Sequence, residues 1–325
     1  MEESIFEQRI DISGLNLAME KIRAETAKVI VGQTEMLELL LIGLLCDGHI
    51  LIEGVPGVAK TLTAKVMAKM IDADFSRMQF TPDLMPSDVV GTSVFNPKEG
   101  DFDFKSGPVF SNIILIDEIN RAPAKTQAAL FEVMEERQVT VDGFTHEMKF
   151  PFIIIATQNP IEQEGTYRLP EAQLDRFLFK IEVRYPSLLQ EIEILNNQQN
   201  KTLAQLIAEV NKIMSVADLR KFRDTIQLVK VEPKLVEYIA AIVHETRNNP
   251  ALYLGASPRA SLAIMRAAKA SAAIKGRDFI TPGDIVEMAL PVLRHRIILT
   301  PEKEMEGLTP DELIHNMLKT IEVPR

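Results

Sequence analysis

Cysteine and tryptophan are almost missing from this 325-residue sequence, which has one cysteine, no tryptophan and 6% aromatic residues. The single thiol, Cys46, cannot form an internal disulfide. A chain of this length buries enough surface to fold without disulfides or structural metal ions. The composition therefore gives no reason to expect an oxidising compartment.

Long hydrophobic runs and a surplus of positive charge are also missing. A membrane-spanning helix needs about 18 consecutive apolar residues, and the best candidate, residues 36–45, is short and interrupted by Glu38. The opening letters MEESIFEQRID lack the basic and apolar regions of a signal peptide. The formal net charge of −10 disfavours a nucleic-acid partner. We therefore expect a cytoplasmic protein with no membrane span.

The first half of the chain alternates short apolar strands with helical patterns, which is typical of a mostly parallel sheet covered by helices. The predicted strands are residues 49–53, 76–80, 112–117, 153–157 and 178–183. Three of them are nearly continuous apolar runs, which indicates helices on both faces of the sheet. Helical spacing predicts helices over residues 62–70 and 124–135, with Leu130, Phe131 and Met134 on one face of the second.

The second half is helical in pattern, with helix-start signals at Ser215, Ser257-Pro258 and Thr281-Pro282. We therefore predict an α/β domain over residues 1–185 and a smaller all-α domain over residues 186–325.

Two predicted hairpins, near residues 92–105 and 138–150, interrupt the α/β alternation. Pro97 and Gly100 favour a turn in the first, and Asp142-Gly143 favours a two-residue turn in the second. The pattern leaves open whether these hairpins have a function or are ordinary surface loops.

The segment EGVPGVAKT, residues 53–61, follows a predicted strand and leads into a helix. The loop and first helical residues are Gly54, Val55, Pro56, Gly57, Val58, Ala59, Lys60, Thr61 and Leu62. Backbone N–H groups in such a loop, together with a helix N-terminus, bind phosphate. Lys60 can reach the β and γ phosphates, and the Thr61 hydroxyl can hold Mg²⁺. Ala59 replaces the usual glycine, which is tolerable if its φ is negative; the alternative is a chance lysine at a helix start.

Polar residues follow two further strands of the predicted sheet. In IILIDEINRA a strand delivers Asp117 and Glu118 to its carboxyl end, where open α/β sheets bind ligands. Asp117 suits the outer shell of Mg²⁺, and Glu118 suits a base that orients or deprotonates water. Asn159, in FIIIATQNP, could position that water. Taken one at a time, Asp117 and Glu118 could be an ordinary acidic pair at a strand end, and Asn159 could be a turn residue before Pro160. Taken together with the loop, they predict an NTP site.

These residues resemble those of an AAA+ ATPase, and more closely those of the MoxR family. The matching segments are GVPGVAKT, FTPDLMPSDVVG, FKSGPVF, DEINRAPAKTQAALFEVMEE, TQNP, LPEAQLDRF and GASPRA. The family's loop commonly carries alanine before the lysine, as Ala59 does here. The resemblance implies a P-loop core with a five-stranded parallel sheet and helices on both faces, followed by a smaller helical lid.

Residue roles follow from this resemblance rather than from spacing. The implied roles are Walker A for Lys60 and Thr61, Walker B for Asp117 and Glu118, sensor 1 for Asn159, arginine finger for Arg176, sensor 2 for Arg259, and adenine contact for Val31 and Gly32. Arg121 and Arg168 are alternative arginines for a subunit interface. Arg176 could instead form a surface ion pair, and Arg259 could pack over the lid core.

The implied activity is hydrolysis of ATP to ADP and phosphate with Mg²⁺. By resemblance, the protein acts as an oligomeric ring, expected to be hexameric, with nucleotide between subunits. Its implied output is remodelling, assembly or activation of a protein client, for example one with a von Willebrand factor A domain. The alternatives are a nucleotide-gated binding module with little hydrolysis, and a DNA-acting or metal-chelatase motor subunit.

Overall fold

The computed structural model describes residues 10–55, 57–159, 167, 169–199 and 201–324. Its strands are β1 His49–Gly54, β2 Phe75–Gln79, β3 Gly91–Asn96, β4 Asp101–Ser106, β5 Ile113–Asp117, β6 Gln138–Val141, β7 Phe144–Glu147, β8 Ile153–Gln158, β9 Phe177–Val183, β10 Leu252–Leu254 and β11 Ile298–Leu299. Its helices are α1 Ser13–Ala27, α2 Thr34–Leu45, α3 Lys60–Met70, α4 Pro86–Val90, α5 Ala124–Glu136, α6 Glu171–Leu174, α7 Leu188–Gln198, α8 Leu203–Ala208, α9 Val216–Gln227, α10 Pro233–Asn248, α11 Pro258–Ile274, α12 Pro282–Leu293, α13 Pro301–Met305 and α14 Pro310–Thr320.

The central feature is a five-stranded parallel sheet in the order β2-β5-β8-β1-β9. All five strands predicted from the sequence are present in it. Strands β5 and β8 are buried almost along their whole length, as their continuous apolar sequences indicated. Because the strands are parallel, the residues that follow β1, β5 and β8 lie at one edge of the sheet.

Helix starts agree with the capping signals in the sequence. Helix α11 begins at Pro258 after Ser257, whose hydroxyl accepts a hydrogen bond from the N–H of Arg259. Helix α12 begins at Pro282 after Thr281. In the first turn of each helix the N–H groups have no partner within the helix, so a capping hydroxyl followed by proline stabilises the start. No helix among the described residues is long and apolar enough to cross a membrane.

Both predicted hairpins are present as separate two-stranded sheets, β3–β4 and β6–β7. In the second, Asp142 and Gly143 both have positive φ, at 51° and 83°, so two residues complete the turn. The returning strand therefore begins at Phe144, directly after the turn.

The chain divides into two compact units. One is Ala24–Val216, which contains the sheet and the hairpins; the other joins residues 10–23 to residues 217–324 and is helical apart from the short β10–β11 pair. The division lies about 30 residues after the change of composition at residue 185.

Contacts with α3 and its C-terminal end explain the later division. The Lys69 ammonium donates to the carbonyls of Ile207 and Ala208, and the N–H groups of Ile213 and Met214 donate to the Met70 carbonyl. These hydrogen bonds attach the segment after α7 to the unit that holds the sheet, although its sequence is helical in character.

His49, at the start of β1, lies in the core of the sheet unit. Its Nδ1 accepts a hydrogen bond from the Ile154 N–H at 3.0 Å, and its Nε2 lies 3.2 Å from the Met134 carbonyl. These partners fix the neutral tautomer that carries its proton on Nε2. Burial lowers the pKa of His49 to about 4, and the positive charge of Arg137 acts in the same direction.

The depressed pKa of His49 predicts loss of stability in mild acid. The unfolded chain binds the proton near pH 6.5, but the folded chain resists it until about pH 4. His49 therefore contributes stability above pH 6.5 that is lost as the pH falls, by about 2 kcal/mol between pH 8 and pH 5. Urea unfolding at the two pH values measures this loss. The loss should shrink in His49→Gln but persist in the exposed-site control His315→Gln; equal pH dependence in all three would contradict the assignment.

Candidate functional site

The loop between β1 and α3 depends on two glycines. Gly54 is required for space, because a Cβ there would lie 2.8 Å from the Val183 carbonyl oxygen of β9. Gly57 is required for its backbone, because its φ is +87°. Pro56, also predicted to contact the ligand, lies outside the described residues. At these two positions no side chain covers the backbone beside the start of α3. Anion binding by backbone N–H groups requires such access.

Ala59 corrects one expectation from the sequence. Its φ is +62° rather than negative, so the residue lies in the left-handed region that glycine usually occupies. This conformation costs about 1–2 kcal/mol for an L-residue. The Ala59 carbonyl accepts hydrogen bonds from both the N–H and the hydroxyl of Thr63, which fixes this conformation at the start of α3. Alanine is therefore accommodated here with local strain.

Lys60 is half-buried at the first position of α3. Its ammonium donates to the Gly54 carbonyl at 2.6 Å, across the loop. Burial lowers the pKa of Lys60, and the negative charges of Asp117, Glu118 and Glu53 oppose that shift. The lysine of the loop and the acidic pair after β5 therefore act on one another electrostatically, although they are more than 50 residues apart.

Asp117 ends β5 and is buried with two partners. One carboxylate oxygen accepts a hydrogen bond from the Thr157 hydroxyl of β8 at 3.2 Å. The other oxygen accepts from Nε of Arg77, on β2, at 2.7 Å. Neighbouring strands on both sides thus fix the orientation of this carboxylate.

Glu118 follows directly and has a strained backbone, with φ +58°. Its N–H donates to the Thr157 hydroxyl at 3.1 Å. One carboxylate oxygen accepts from the Gln79 amide at 2.8 Å and lies 3.3 Å from Nε of Arg121. Positive φ at a non-glycine residue is often found at functional sites, and here it turns the side chain toward the end of β2.

Three residues that position the acidic pair were missed from the sequence: Thr157, Arg77 and Gln79. The threonine is part of the motif TQNP, but only the parallel pairing of β5 with β8 brings its hydroxyl to both acidic residues. Arg77 and Gln79 are two residues apart on β2, so their side chains lie on the same face of the strand. The sequence contained a signal for this: Arg77 and Gln79 lie two residues apart in the predicted strand 76–80. If that strand is next to the predicted strand 112–117, both side chains can reach the acidic pair.

Replacing Thr157 with valine should lower the free energy of unfolding by about 1–3 kcal/mol. Valine has nearly the same shape but removes the hydroxyl, so the Glu118 N–H and the Asp117 carboxylate each lose a buried partner. Urea unfolding measures the change. Thr145→Val, on exposed strand β7, is the matched control with an expected change below about 0.5 kcal/mol. Equal values for the two variants would show that the bridge does not stabilise the site.

Four further predicted residues lie in three places. Asn159 follows β8 at the same edge of the sheet as the acidic pair. Val31 and Gly32 precede α2, where a Cβ on Gly32 would lie 2.8 Å from the Gln190 side-chain amide. Arg259 is exposed in the first turn of α11, in the helical unit.

Arg176, before β9, contacts α5. Its guanidinium donates to the Phe131 carbonyl at 2.9 Å and to Glu135 at 3.1 Å. Within the chain Arg176 therefore lies along α5, consistent with an ion pair on the surface of the unit. Arg168 lies outside the described residues.

The donor set fits Mg²⁺ bound to a polyphosphate. Thr61, in the first turn of α3, offers a hydroxyl, and Asp117 offers a carboxylate at the edge of the same sheet. Oxygen ligands of this type are those that Mg²⁺ prefers, with water and phosphate oxygens completing its shell. The helix α3 that carries Lys60 and Thr61 follows β1, and Asp117 ends β5; both strands pair with β8, so the donors and the lysine lie at one edge of the sheet.

Two family models match the chain. The model described as "ATPase family associated with various cellular activities (AAA)" matches residues 49–179, and the model for an AAA lid domain matches residues 244–317. The first contains the loop, the acidic pair and Asn159; the second contains Arg259.

Curated relatives and a solved structure match over nearly the full chain. The Bacillus subtilis protein YeaC, described as uncharacterized, is 45% identical over 91% of this chain and 92% of its own. Chaperone MoxR1 of Mycobacterium tuberculosis is 44% identical over 94% of this chain and 82% of its own. Protein MoxR of Paracoccus denitrificans is 31% identical over 97% and 98%. A crystal structure of a protein from Cytophaga hutchinsonii, described as a "putative ATPase", has a TM-score of 0.89 and 43% identity, with 97% of each chain covered.

Proposed function

The chain belongs to the MoxR family of AAA+ ATPases, and on that premise we propose that it hydrolyses ATP with Mg²⁺ to drive changes in a protein client. One observation supports the chemistry above all: the loop after β1 that leads to Lys60 and the strand end that carries Asp117 and Glu118 lie at the same edge of one parallel sheet. A lysine, a metal-binding carboxylate and a carboxylate base are what in-line attack of water on a γ phosphate needs.

Each group has one task in the proposed reaction. Backbone N–H groups of the loop and the Lys60 ammonium hold the phosphates. Thr61 and Asp117 would hold Mg²⁺, the second through water, and the ion would supply positive charge beside the phosphoryl oxygens. Glu118 orients and deprotonates the attacking water, and Asn159 positions it. By the family resemblance, Val31 and Gly32 would lie against the adenine.

Completion of the site by a second subunit is part of the proposal. In a ring, expected to be hexameric, Arg176 would leave its partners on α5 to approach the ATP of the neighbouring subunit. An arginine there stabilises transition-state charge. Arg259 would report the nucleotide state to the helical unit. Arg121, which lies among the described residues, is the alternative to Arg176 for the arginine at the subunit interface.

The output is proposed to be remodelling, assembly or activation of a protein. The support is the relative described as a chaperone, which is 44% identical. A client with a von Willebrand factor A domain and a cytoplasmic location both remain proposals drawn from the family.

Phosphate release tests the proposal directly. The purified chain should release phosphate from ATP in the presence of Mg²⁺. Phosphate release should stop when the metal is chelated, because Thr61 and Asp117 are expected to bind the nucleotide as its metal complex. Nucleotide binding without phosphate release, at any protein concentration that permits assembly, would favour a nucleotide-gated binding module instead.

A further inference from the structure

An ion pair joins β9 to the end of β1, directly before the loop that leads to Lys60. The Lys180 ammonium lies 3.0 Å from a carboxylate oxygen of Glu53, and the two side chains are 20% and 19% exposed. Glu53 is the last residue of β1 that has a side chain, because Gly54 follows it. Neither Glu53 nor Lys180 has a task in the proposed reaction, yet the pair places two charges beside the loop.

Parallel pairing brings these side chains together. In the register of β1 with β9, Leu51 is opposite Lys180 and Glu53 is opposite Glu182. Opposite residues of neighbouring strands, and residues two apart on one strand, have their side chains on the same face of a sheet. Glu53, Lys180 and Glu182 therefore share one face, and two of the three are negative. Because like charges directly opposite one another are unfavourable, the Lys180 ammonium stabilises this end of the strands.

The backbone that follows the ion pair is connected to Lys60. The Gly54 carbonyl accepts a hydrogen bond from the Lys60 ammonium at 2.6 Å. Gly54 also packs closely on β9, where an added Cβ would lie 2.8 Å from the Val183 carbonyl oxygen. Burial lowers the pKa of Lys60, and the Glu53 carboxylate is one of the charges that oppose this shift. The position and charge of Glu53 therefore bear directly on the start of the loop.

A carboxylate beside the loop would oppose the binding of a polyphosphate unless its charge is offset. At an effective dielectric constant of about 20, two unit charges about 10 Å apart change a binding constant by about tenfold. Glu53 and Lys180 are mostly buried, so salt screens their charges only in part. A lysine ammonium at 3.0 Å supplies the opposite charge where it offsets Glu53 most strongly.

We propose that Lys180 is a positioning residue of the phosphate site, which holds the Glu53 carboxylate and offsets its charge so that a polyphosphate can occupy the loop. This inference rests on the proposed function, because it takes the loop to bind ATP. The competing explanation is an ion pair that only stabilises the edge of the sheet. The two explanations differ in the result expected when both charges are removed together.

Isothermal titration calorimetry of ATP with Mg²⁺ on the full chain tests the inference. Lys180→Met leaves the Glu53 charge without its partner and should weaken ATP binding by about tenfold. The double variant Lys180→Met with Glu53→Gln removes both charges and should restore the affinity to within about twofold of the original. Glu53→Gln alone should bind ATP at least as tightly as the unmodified chain, since the Lys180 charge remains.

Lys201→Met is the matched control, because Lys201 forms a similar ion pair with Glu209 at 2.8 Å in the same unit. Its ATP affinity should be unchanged. Lys180→Arg keeps the charge and should keep most of the affinity, and circular dichroism on each variant shows whether the fold is retained. If Lys180→Met does not fold, Glu53→Gln alone decides the question.

Three results would overturn the inference. The first is unchanged ATP affinity in folded Lys180→Met. The second is a double variant that binds ATP as weakly as Lys180→Met, which would assign the pair to the sheet edge alone. The third is weakened ATP binding in Glu53→Gln. Phosphate release is an independent readout: affinities that follow the expected pattern in a chain that releases no phosphate would uphold the inference while the ATPase proposal fails.

Discussion

Replacing Arg176 with alanine should lower the rate of ATP hydrolysis by about 10³–10⁵-fold and leave ATP affinity nearly unchanged. An arginine supplied by a neighbouring subunit stabilises charge that develops only in the transition state, so its loss affects turnover more than binding. Phosphate release gives the rate, and calorimetry gives the affinity.

The matched control for Arg176→Ala is a variant of Glu135, the residue with which Arg176 forms an ion pair within the chain. Glu135→Ala removes the same ion pair on α5 but leaves the guanidinium in place, so turnover should stay within a few fold. A comparable loss in both variants would mean that the ion pair, rather than an arginine acting on the next subunit, is what matters. Unchanged turnover in Arg176→Ala would remove the assignment altogether.

Glu118→Gln should lower turnover by about 10²–10⁴-fold, the range that general-base catalysis contributes. The new amide has the same shape and can still accept hydrogen bonds from Gln79 and Arg121, so the loop after β5 should keep its structure. ATP should therefore bind and stay bound, which filter binding combined with phosphate release can show.

The control for Glu118 is Glu99→Gln, at the exposed turn of the first hairpin, which removes one carboxylate without touching the site. It should turn over ATP at the normal rate. Normal turnover in Glu118→Gln would mean that another group handles the water.

The strands that form the site could be predicted because their sequences are local signals. Continuous apolar runs ending in Glu53, Asp117 and Thr157 are each readable within a few residues, and parallel pairing brings their ends to one edge. The family resemblance implied a sheet of five parallel strands, but the order β2-β5-β8-β1-β9 comes from the structure, because apolar periodicity does not determine it.

The partners of the acidic pair could not be predicted in this way. Arg77 contacts Asp117 across 40 residues of sequence, and the contact depends on the register of β2 against β5. The φ of Ala59 likewise depends on the path of the whole loop rather than on the residue itself. The attachment of the segment after α7 to the sheet unit rests on long-range hydrogen bonds from Lys69, which no change of composition reveals.

Isothermal titration calorimetry of ATP with Mg²⁺ on Lys60→Met tests the central claim most directly: that the loop lysine and the strand-end carboxylates share one polyphosphate. Lys65→Met, one turn later on the exposed face of α3, is the matched control. The account predicts about 100-fold weaker binding in Lys60→Met, roughly the 3 kcal/mol of a charged hydrogen-bond partner, and unchanged binding in the control. Equal affinity in both variants would contradict it.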